Sequence, residues 1–278
     1  MALLLAVLLG GCSVPLGRGP ASPHASTPTT QASATPAAPT VAAESPAATS
    51  SGWRDVGSGV SLRTETATPP GSGSAGQVTV SRVEKSAGRL RVGYAPTAPA
   101  PIDAWAIAHP TAVVMINGGY FDENNRTTAL LVSDGVRSGA SYSGFGGMLS
   151  MSTNGAVSLR SLRDHPYSSA EKPRQAVQSF PMLVIDGAAT SLPNENGAES
   201  RRSIVAVDAS SRLLLITIEG GWTLTQTGQW LAGSDLGIRQ ALNLDGGGST
   251  AMVVGSGADR TEVDAYTALP IVVWVEAA

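Results

Sequence analysis

Three polar residues follow apolar stretches of the sequence, and each is followed at once by glycines. They are Asn117, Glu219 and Asp245, and each apolar stretch has the length and composition of a buried β-strand. A side chain at the end of a strand is held by a rigid scaffold and borders a loop, where binding and catalytic groups are concentrated. A single position of this kind is also typical of a tight turn. Three of them indicate a site built at strand ends.

The segment around Asp245 is the richest in groups that could bind a ligand. Its candidate binding residues are Asn243, Gly246, Gly247, Gly248, Ser249 and Thr250. Glycine lets the backbone come close to a ligand, and the N–H groups of such a loop could face an anion or the oxygens of a sugar. Gly118 and Gly119 give the segment after Asn117 the same property. The loop after Asp245 is not a P-loop, because the lysine of that motif is missing.

Carboxylates in these positions suit the hydrolysis of a sugar bond, in which one acts as nucleophile or base and another as acid. The candidate carboxylates are Asp245, Glu219 and Asp122, which lies in another glycine-containing segment. Arg202 stands beside Arg201 at the start of a predicted strand, and a guanidinium offers a planar pair of donors to phosphate oxygens. Either arginine could have this role.

The sequence contains no motif typical of serine hydrolases or zinc hydrolases. There is no Gly-x-Ser-x-Gly elbow, no HExxH motif and no paired Cys/His spacing, and the chain has one cysteine and three histidines. We therefore expect no required cofactor. Carboxylates and carbonyls that hold Ca²⁺ or Mg²⁺ are the alternative, and the sequence identifies no metal ligands.

The elements that must position these groups are mostly strands. Alternating and continuous apolar runs predict strands along most of the domain, including one strand over 178–185. Two hairpins are predicted: one joins residues 78–80 to 90–94, and the other joins 148–151 to 157–159 across Asn154-Gly155. Helices are predicted over 101–109 and about 226–237, with Thr223 or Thr225 as the cap of the second. Tyr142–Gly147, rich in glycine and aromatic residues, is a candidate rim loop. The expected fold is α+β: a strand-rich mixed or antiparallel sheet with a few packed helices, in a single globular domain.

The first 51 residues differ from the rest of the 278-residue chain. Residues 1–12 resemble a lipoprotein signal peptide, because an apolar run leads to Leu9-Gly10-Gly11-Cys12, although no Lys or Arg precedes the run. Lipidation of Cys12 would anchor the protein to a bacterial membrane on its extracytoplasmic side, with secretion as the alternative. Residues 13–51 are a predicted disordered tether of Ala, Pro, Ser and Thr. Residues 52–278 form the predicted domain, and a net charge of −3 gives no reason to expect nucleic-acid binding.

Four motifs are similar to those of the phosphodiester glycosidase family: Asn117-Gly118-Gly119-Tyr120-Phe121-Asp122, Arg202-Ser203, Gly221-Trp222-Thr223-Leu224 and Asn243-Leu244-Asp245-Gly246-Gly247-Gly248-Ser249-Thr250. They follow the family's order and cover about residues 100–276. The resemblance implies an enzyme that hydrolyses a sugar-1-phosphodiester at the glycosidic C–O bond. Its products would be a free sugar, with N-acetylglucosamine as the first expectation, and a phosphomonoester. A carbohydrate phosphodiester is then the expected partner, beside the membrane, and the oligomeric state is not predicted.

The resemblance, together with the positions of these residues at predicted strand ends, implies a role for each candidate. Asp245 or Glu219 would act as base or nucleophile, and Arg202 would bind phosphate. Asn117 and Asp122 would bind sugar hydroxyls or orient the carboxylates. Two other functions stay open from the sequence: a phosphodiesterase that cleaves P–O, and a non-catalytic glycan-binding lipoprotein of the envelope.

Overall fold

The computed structural model describes residues 52–85 and 88–277. The predicted signal segment, Cys12 and the tether lie outside the described residues. Within the described ranges, no helix is long and apolar enough to cross a membrane.

The described part of the chain is built from eighteen strands in three sheets. The strands are β1 Arg54–Asp55, β2 Val60–Ala67, β3 Gly76–Val83, β4 Gly88–Tyr94, β5 Ala112–Asn117, β6 Leu131–Ser133, β7 Val136–Ser138, β8 Gly147–Met151, β9 Val157–Ser161, β10 Gln175–Ser179, β11 Met182–Ile185, β12 Ala188–Ala189, β13 Ser200–Asp208, β14 Leu213–Trp222, β15 Ile238–Asn243, β16 Met252–Val254, β17 Thr261–Val263 and β18 Ile271–Ala277. The helices are α1 Ile102–Ala108 and α2 Leu224–Gly233, with 3₁₀ turns at Gly247–Ser249 and Gly257–Asp259.

The largest sheet has the order β1-β2-β3-β14-β13-β15-β11-β12. Two five-stranded sheets have the orders β7-β6-β10-β8-β9 and β17-β16-β5-β18-β4. All the paired strands are antiparallel. The expected strand-rich fold is therefore confirmed in its antiparallel form, although two helices among so many strands make it mostly β.

The eight-stranded sheet is buried on both faces because successive side chains of a strand point to opposite sides. In β14, Leu213 and Leu215 pack into the main core, where residues of all three sheets meet. Leu214 and Ile216 point the other way, into a second core that includes Leu231 of α2. We call these two sides the inner face and the α2 face. The continuous apolar run of β14 follows from this double burial.

Helix α2 begins at a complete capping box. The Thr223 hydroxyl accepts a hydrogen bond from the Gln226 backbone N–H, and the Gln226 side chain accepts one from the Thr223 backbone N–H. The helix therefore begins two residues before the predicted start and ends at Gly233, four residues before the predicted end. Leu236 lies beyond the end of the helix but is buried, so the sequence pattern of buried apolar residues continued past the helix itself. The first helix agrees with its prediction within one residue at each end.

Two predicted strand connections are wrong and one is confirmed. Strand β3 pairs with β2 and β14 on its two edges, which leaves no edge for the predicted hairpin with β4; β4 pairs with β18 in another sheet. The predicted strand over 178–185 is two strands, β10 and β11, in different sheets, and Pro181, which lacks an N–H donor, lies between them. The hairpin of β8 and β9 across Asn154-Gly155 is confirmed.

Candidate functional site

Asn117 joins the ends of three strands. Its buried Oδ1 accepts hydrogen bonds from the Ser203 hydroxyl at 2.7 Å and from the Ala251 backbone N–H at 3.1 Å. Its Nδ2 donates to the Asp245 backbone carbonyl at 2.6 Å. The strand β5 thus fixes the segment that follows β15, and the end of β13, through one side chain. Asn117 holds the Asp245 backbone in place.

Asp245 is half-buried in the segment that Asn117 fixes. Its backbone N–H donates to the Gly118 carbonyl at 3.1 Å, so both backbone groups of Asp245 bond to residues 117–118. Burial raises the pKa of the Asp245 carboxyl, and hydrogen bonds from the Ser249 hydroxyl and the Gly246 backbone N–H oppose that rise. Asp245 is therefore a positioned carboxylate whose charged form is partly desolvated, as a base or a nucleophile would be.

The glycines of the site are required by close packing. A Cβ atom on Gly119 would lie 2.6 Å from the Gln178 carbonyl oxygen, and one on Gly246 would lie 2.7 Å from the Arg201 carbonyl oxygen. On Gly118 it would collide with the Ile271 side chain. Gly247 adopts a φ of +58°, in the left-handed region that favours glycine. These contacts bring the strand ends together.

The rest of the loop after Gly246 is held from one side. Gly247–Ser249 forms the 3₁₀ turn, and the exposed Gly248 accepts a hydrogen bond from the Tyr266 backbone N–H at 2.6 Å. The Thr250 hydroxyl is buried and has no hydrogen-bond partner among the described residues. Ser249 is thus the residue of this loop whose side chain acts directly on the carboxylate.

Arg202 is a buried cation without an ionic partner in the described part of the chain. Its side chain is 8% exposed. Its Nε donates to the Trp222 carbonyl at 2.8 Å and one terminal nitrogen donates to the Ala198 carbonyl at 2.7 Å. Burial lowers the pKa of Arg202, and electrostatic interactions with Tyr120 and with the Glu195 carboxylate oppose that decrease. An unpaired guanidinium fixed by two carbonyls is suited to bind an anion.

Tyr120 is hydrogen-bonded to Asn243, which precedes Asp245 by two residues. The Asn243 Nδ2 donates to the Tyr120 hydroxyl at 2.7 Å, and also to the carbonyls of Leu244 and Phe180. Burial raises the pKa of Tyr120 to about 12, helped by the charge of Asp245 and opposed by that of Arg202. Through Asn243, the Tyr120 hydroxyl is joined to the strand that leads to Asp245.

Strand alternation separates Glu219 from this group. Arg202 pairs with Ile218, which belongs to the α2 face, and Asn243 pairs with Ile204 of the same face. Glu219 follows Ile218 and therefore points to the opposite side. The prediction that Glu219 ends its strand is wrong, because β14 continues to Trp222 across an irregularity in its pairing with β13.

Glu219 instead forms an ion pair with the neighbouring arginine. Its carboxylate lies 3.6 Å from a terminal nitrogen of Arg201. The Arg201 guanidinium also lies 4.5 Å from the ring centre of Tyr266, and it donates to the Asp264 carbonyl at 3.0 Å. Arg201, unlike Arg202, is therefore already neutralised, which favours Arg202 as the anion-binding residue.

Asp122 organises its own loop. Its Oδ1 accepts hydrogen bonds from the backbone N–H groups of Asn124 at 2.9 Å and Arg126 at 2.8 Å. The side chain is exposed, and Asn125 adopts a φ of +61° within the same turn. This local arrangement is an Asx turn, and it accounts for Asp122 without a ligand.

Aromatic side chains form a rim beside Tyr120. The ring centres of Tyr120 and Phe180 are 4.8 Å apart, and those of Tyr142 and Phe145 are 4.6 Å apart. Phe145 is 48% exposed and Phe180 is 39% exposed, which is unusual for these residues and is typical of a binding surface. The placement of Tyr142–Gly147 agrees with the predicted rim loop. The sequence did not identify Phe180 or a role for Tyr120, because Phe180 lies in a predicted strand and Tyr120 in an aromatic pair, and both contexts are typical of a hydrophobic core.

The structure groups no three acidic, histidine or cysteine side chains as a metal site within residues 52–85 and 88–277. The candidate carboxylates Asp245, Glu219 and Asp122 are accordingly engaged in three different local networks.

Comparison with known proteins gives a family match and a shared fold. A model of the phosphodiester glycosidase (NAGPA) family matches residues 110–272. The structure resembles the catalytic domain of zebrafish N-acetylglucosamine-1-phosphodiester alpha-N-acetylglucosaminidase, auto-inhibited by its pro-peptide, with a TM-score of 0.64 and 18% identity over 79% of this chain and 83% of that one. It also resembles a hypothetical protein from Synechocystis, with a TM-score of 0.60 and 16% identity over 85% of this chain and 65% of that one. The search of curated proteins gave no match. At these identities the structural likeness establishes the fold.

Proposed function

The chain belongs to the phosphodiester glycosidase family of enzymes, and we propose that it hydrolyses a sugar-1-phosphodiester at the bond between the anomeric carbon and the phosphate oxygen. The products are a free sugar and a phosphomonoester. The observation that carries the proposal is Arg202, a buried guanidinium that forms no ion pair within the described residues, on a strand that adjoins the segment of the partly desolvated carboxylate Asp245. The two segments are joined by the Leu244 N–H, which donates to the Ser203 carbonyl at 2.8 Å. One group suits the phosphate and the other suits attack at the sugar.

In this proposal Asp245 acts as base or as nucleophile. As base it takes a proton from water while the water oxygen bonds to the anomeric carbon and the C–O bond to phosphate breaks. As nucleophile it forms a glycosyl ester that water then hydrolyses. The departing phosphomonoester is a good leaving group, so the reaction needs little help from a strong acid. Stabilisation of the phosphate by fixed donors matters more, and Arg202 supplies one of them.

The fixed elements around Asp245 support this division of labour. Asn117 bonds the Asp245 carbonyl and Gly118 bonds its N–H, so the carboxylate cannot drift relative to the strand ends. Such positioning lowers the entropic cost of bringing the reacting groups together. Asn117 then acts as a positioning residue, and Asp122 shapes the loop that leads to Thr128 and the aromatic rim.

The sugar that we propose to test first is N-acetylglucosamine in alpha linkage, the substrate class in the name of the zebrafish protein. The test incubates the purified protein with methyl α-N-acetylglucosamine-1-phosphate in ¹⁸O-labelled water and weighs the products. Label in the sugar, with methyl phosphate unlabelled, is the expected result. Asp245→Asn, which keeps the size of the side chain, should abolish turnover, and Asn124→Ala, on the exposed loop surface, should leave it unchanged.

The same experiment separates the alternatives. Label in the phosphate, together with sugar-1-phosphate as a product, would show cleavage of the P–O bond and a phosphodiesterase. Binding of the diester without turnover by any variant would show a glycan-binding protein. Both outcomes contradict the proposed reaction, and they leave the fold unaffected.

We further propose that the enzyme works outside the cytoplasm, held at a bacterial membrane by a lipid on Cys12. The support is the Leu9-Gly10-Gly11-Cys12 pattern and the Ala/Pro/Ser/Thr composition of residues 13–51. Cell fractionation tests it: the wild-type protein should appear with the membranes, and Cys12→Ser should not. Equal distribution of the two proteins would contradict the anchor and leave the enzymatic proposal standing.

A further inference from the structure

The Tyr120 hydroxyl is held as an acceptor and its own hydrogen is left over. The Asn243 Nδ2 donates to its oxygen at 2.7 Å. In the described residues, the hydroxyl hydrogen of Tyr120 meets no acceptor. By contrast, the Tyr142 hydroxyl shares a hydrogen bond of 3.0 Å with the Thr128 hydroxyl. The Tyr120 phenol therefore has a free donor at a fixed place.

The rest of Tyr120 is fixed as firmly as its hydroxyl. Its backbone carbonyl accepts hydrogen bonds from the Thr128 N–H at 3.0 Å and the Thr128 hydroxyl at 3.2 Å. Its ring packs at 4.8 Å against Phe180, whose carbonyl also accepts from Asn243. A donor that is held in this way loses little entropy when a ligand arrives.

The Tyr120 hydroxyl is bonded to a residue on the same face of the eight-stranded sheet as Arg202. Asn243 is two residues before Asp245 and lies on the α2 face with Arg202. A phosphodiester bound by Arg202 would also feel repulsion from the Asp245 carboxylate. A neutral O–H donor offsets that repulsion without adding a charge that Asp245 could neutralise.

We propose that the Tyr120 hydroxyl donates a hydrogen bond to a non-bridging oxygen of the substrate phosphate, as the second phosphate-binding group beside Arg202. The inference rests on the proposed function, because the phosphate belongs to the substrate proposed above. The raised pKa of Tyr120 agrees with a phenol that stays protonated at neutral pH. As the C–O bond breaks, negative charge grows on the phosphate and the hydrogen bond strengthens, so it lowers the barrier as well as aiding binding.

The test compares two variants that each remove one hydroxyl. Tyr120→Phe deletes the proposed donor, and Tyr167→Phe, whose hydroxyl donates to the Glu171 carbonyl outside the site, is the matched control. Calorimetry measures the dissociation constants of the full chain for inorganic phosphate and for free N-acetylglucosamine. Steady-state kinetics with the diester gives kcat and KM. Asn243 keeps its carbonyl acceptors on Leu244 and Phe180 in Tyr120→Phe, so the variant should fold, and its melting curve checks this.

The expected result is specific to phosphate. Loss of a hydrogen bond to a charged group should weaken phosphate binding by roughly 10- to 100-fold in Tyr120→Phe. Sugar binding should be unchanged, kcat should fall, and Tyr167→Phe should behave as the wild type. Equal phosphate affinity in wild type and Tyr120→Phe would overturn the inference, as would the absence of phosphate binding in the wild type.

The outcomes also separate this inference from the proposed function. Tyr120-dependent phosphate binding without turnover of any diester would contradict the proposed reaction and support the phosphate site. Turnover of the diester with unchanged phosphate affinity in Tyr120→Phe would do the reverse.

Discussion

Replacement of Asn117 by alanine removes the side chain that joins three strand ends. The deletion leaves the Ser203 hydroxyl, the Ala251 N–H and the Asp245 carbonyl without their partner. Asn117, Ser203 and Ala251 are buried, so water cannot easily replace the lost bonds. An unsatisfied buried donor or acceptor costs about 1–3 kcal/mol. Allowing for partial relaxation around three such groups, we expect a loss of about 3–5 kcal/mol in the free energy of unfolding.

A loss of that size is a large part of the stability of a typical domain, which is about 5–15 kcal/mol. Urea unfolding, followed by tryptophan fluorescence, measures it for Asn117→Ala and for Asn124→Ala. The exposed Asn124 should change stability by less than about 0.5 kcal/mol. Activity should fall in Asn117→Ala even at temperatures where the variant is fully folded, because the Asp245 backbone loses a restraint. A loss below about 1 kcal/mol would refute the idea that Asn117 carries the junction.

Three more predictions concern the charged groups and cofactors. Burial raises the pKa of Asp245 in the folded protein above its ordinary value, so the native state holds the proton more tightly than the unfolded chain. The contribution of this group to the free energy of unfolding is therefore complete below the ordinary pKa and is lost as the pH rises through the pKa of the folded protein. Asp245→Asn should therefore be more stable than the wild type at neutral pH and equal to it in acid, as urea unfolding at both pH values would show, and a less stable variant at neutral pH would contradict this. Arg202→Met should lower kcat/KM by at least about 100-fold while Arg201→Met lowers it by less than about tenfold, and equal losses would remove the distinction between the two arginines. Dialysis against EDTA should leave the activity unchanged, and a loss that Ca²⁺ or Mg²⁺ restores would establish a metal requirement.

The strands and the main site motifs could be predicted because their signals are local. Apolar runs that end in a polar residue and glycines identified β5 and β15, and the Thr223 cap identified α2. The sheet to which a strand belongs depends on distant partners, so the hairpin of β3 and β4 was predicted wrongly from two neighbouring alternating runs. Glu219-Gly220-Gly221 was likewise interpreted as a strand end followed by a loop, although β14 continues to Trp222, which pairs with Ser200 of β13.

The division of the site residues could not be predicted for a similar reason. Arg201 and Arg202 are adjacent in the sequence, and only their pairing with β14 decides which of them faces Glu219. For Asn117 the sequence left two roles open, binding sugar hydroxyls or orienting the carboxylates, and its hydrogen bonds to Ser203, Ala251 and Asp245 favour the second. The sequence predicts no role for Tyr120, because a tyrosine beside a phenylalanine is typical of a core and its hydroxyl partner, Asn243, is distant in the chain.

The bond from Asn117 to the Asp245 carbonyl links residues 128 positions apart in the chain. The junction therefore divides the site between two parts of the polypeptide: Asn117 and Tyr120 come from the first half, and Arg202 and Asp245 from the second. The turn at Asn154-Gly155, which is exposed, separates these halves. Cleavage of the chain at that turn would give two fragments, neither of which contains a complete site. Recovery of activity on mixing would then report fragment complementation, and its rate would follow the docking of strands with high contact order rather than the chemistry.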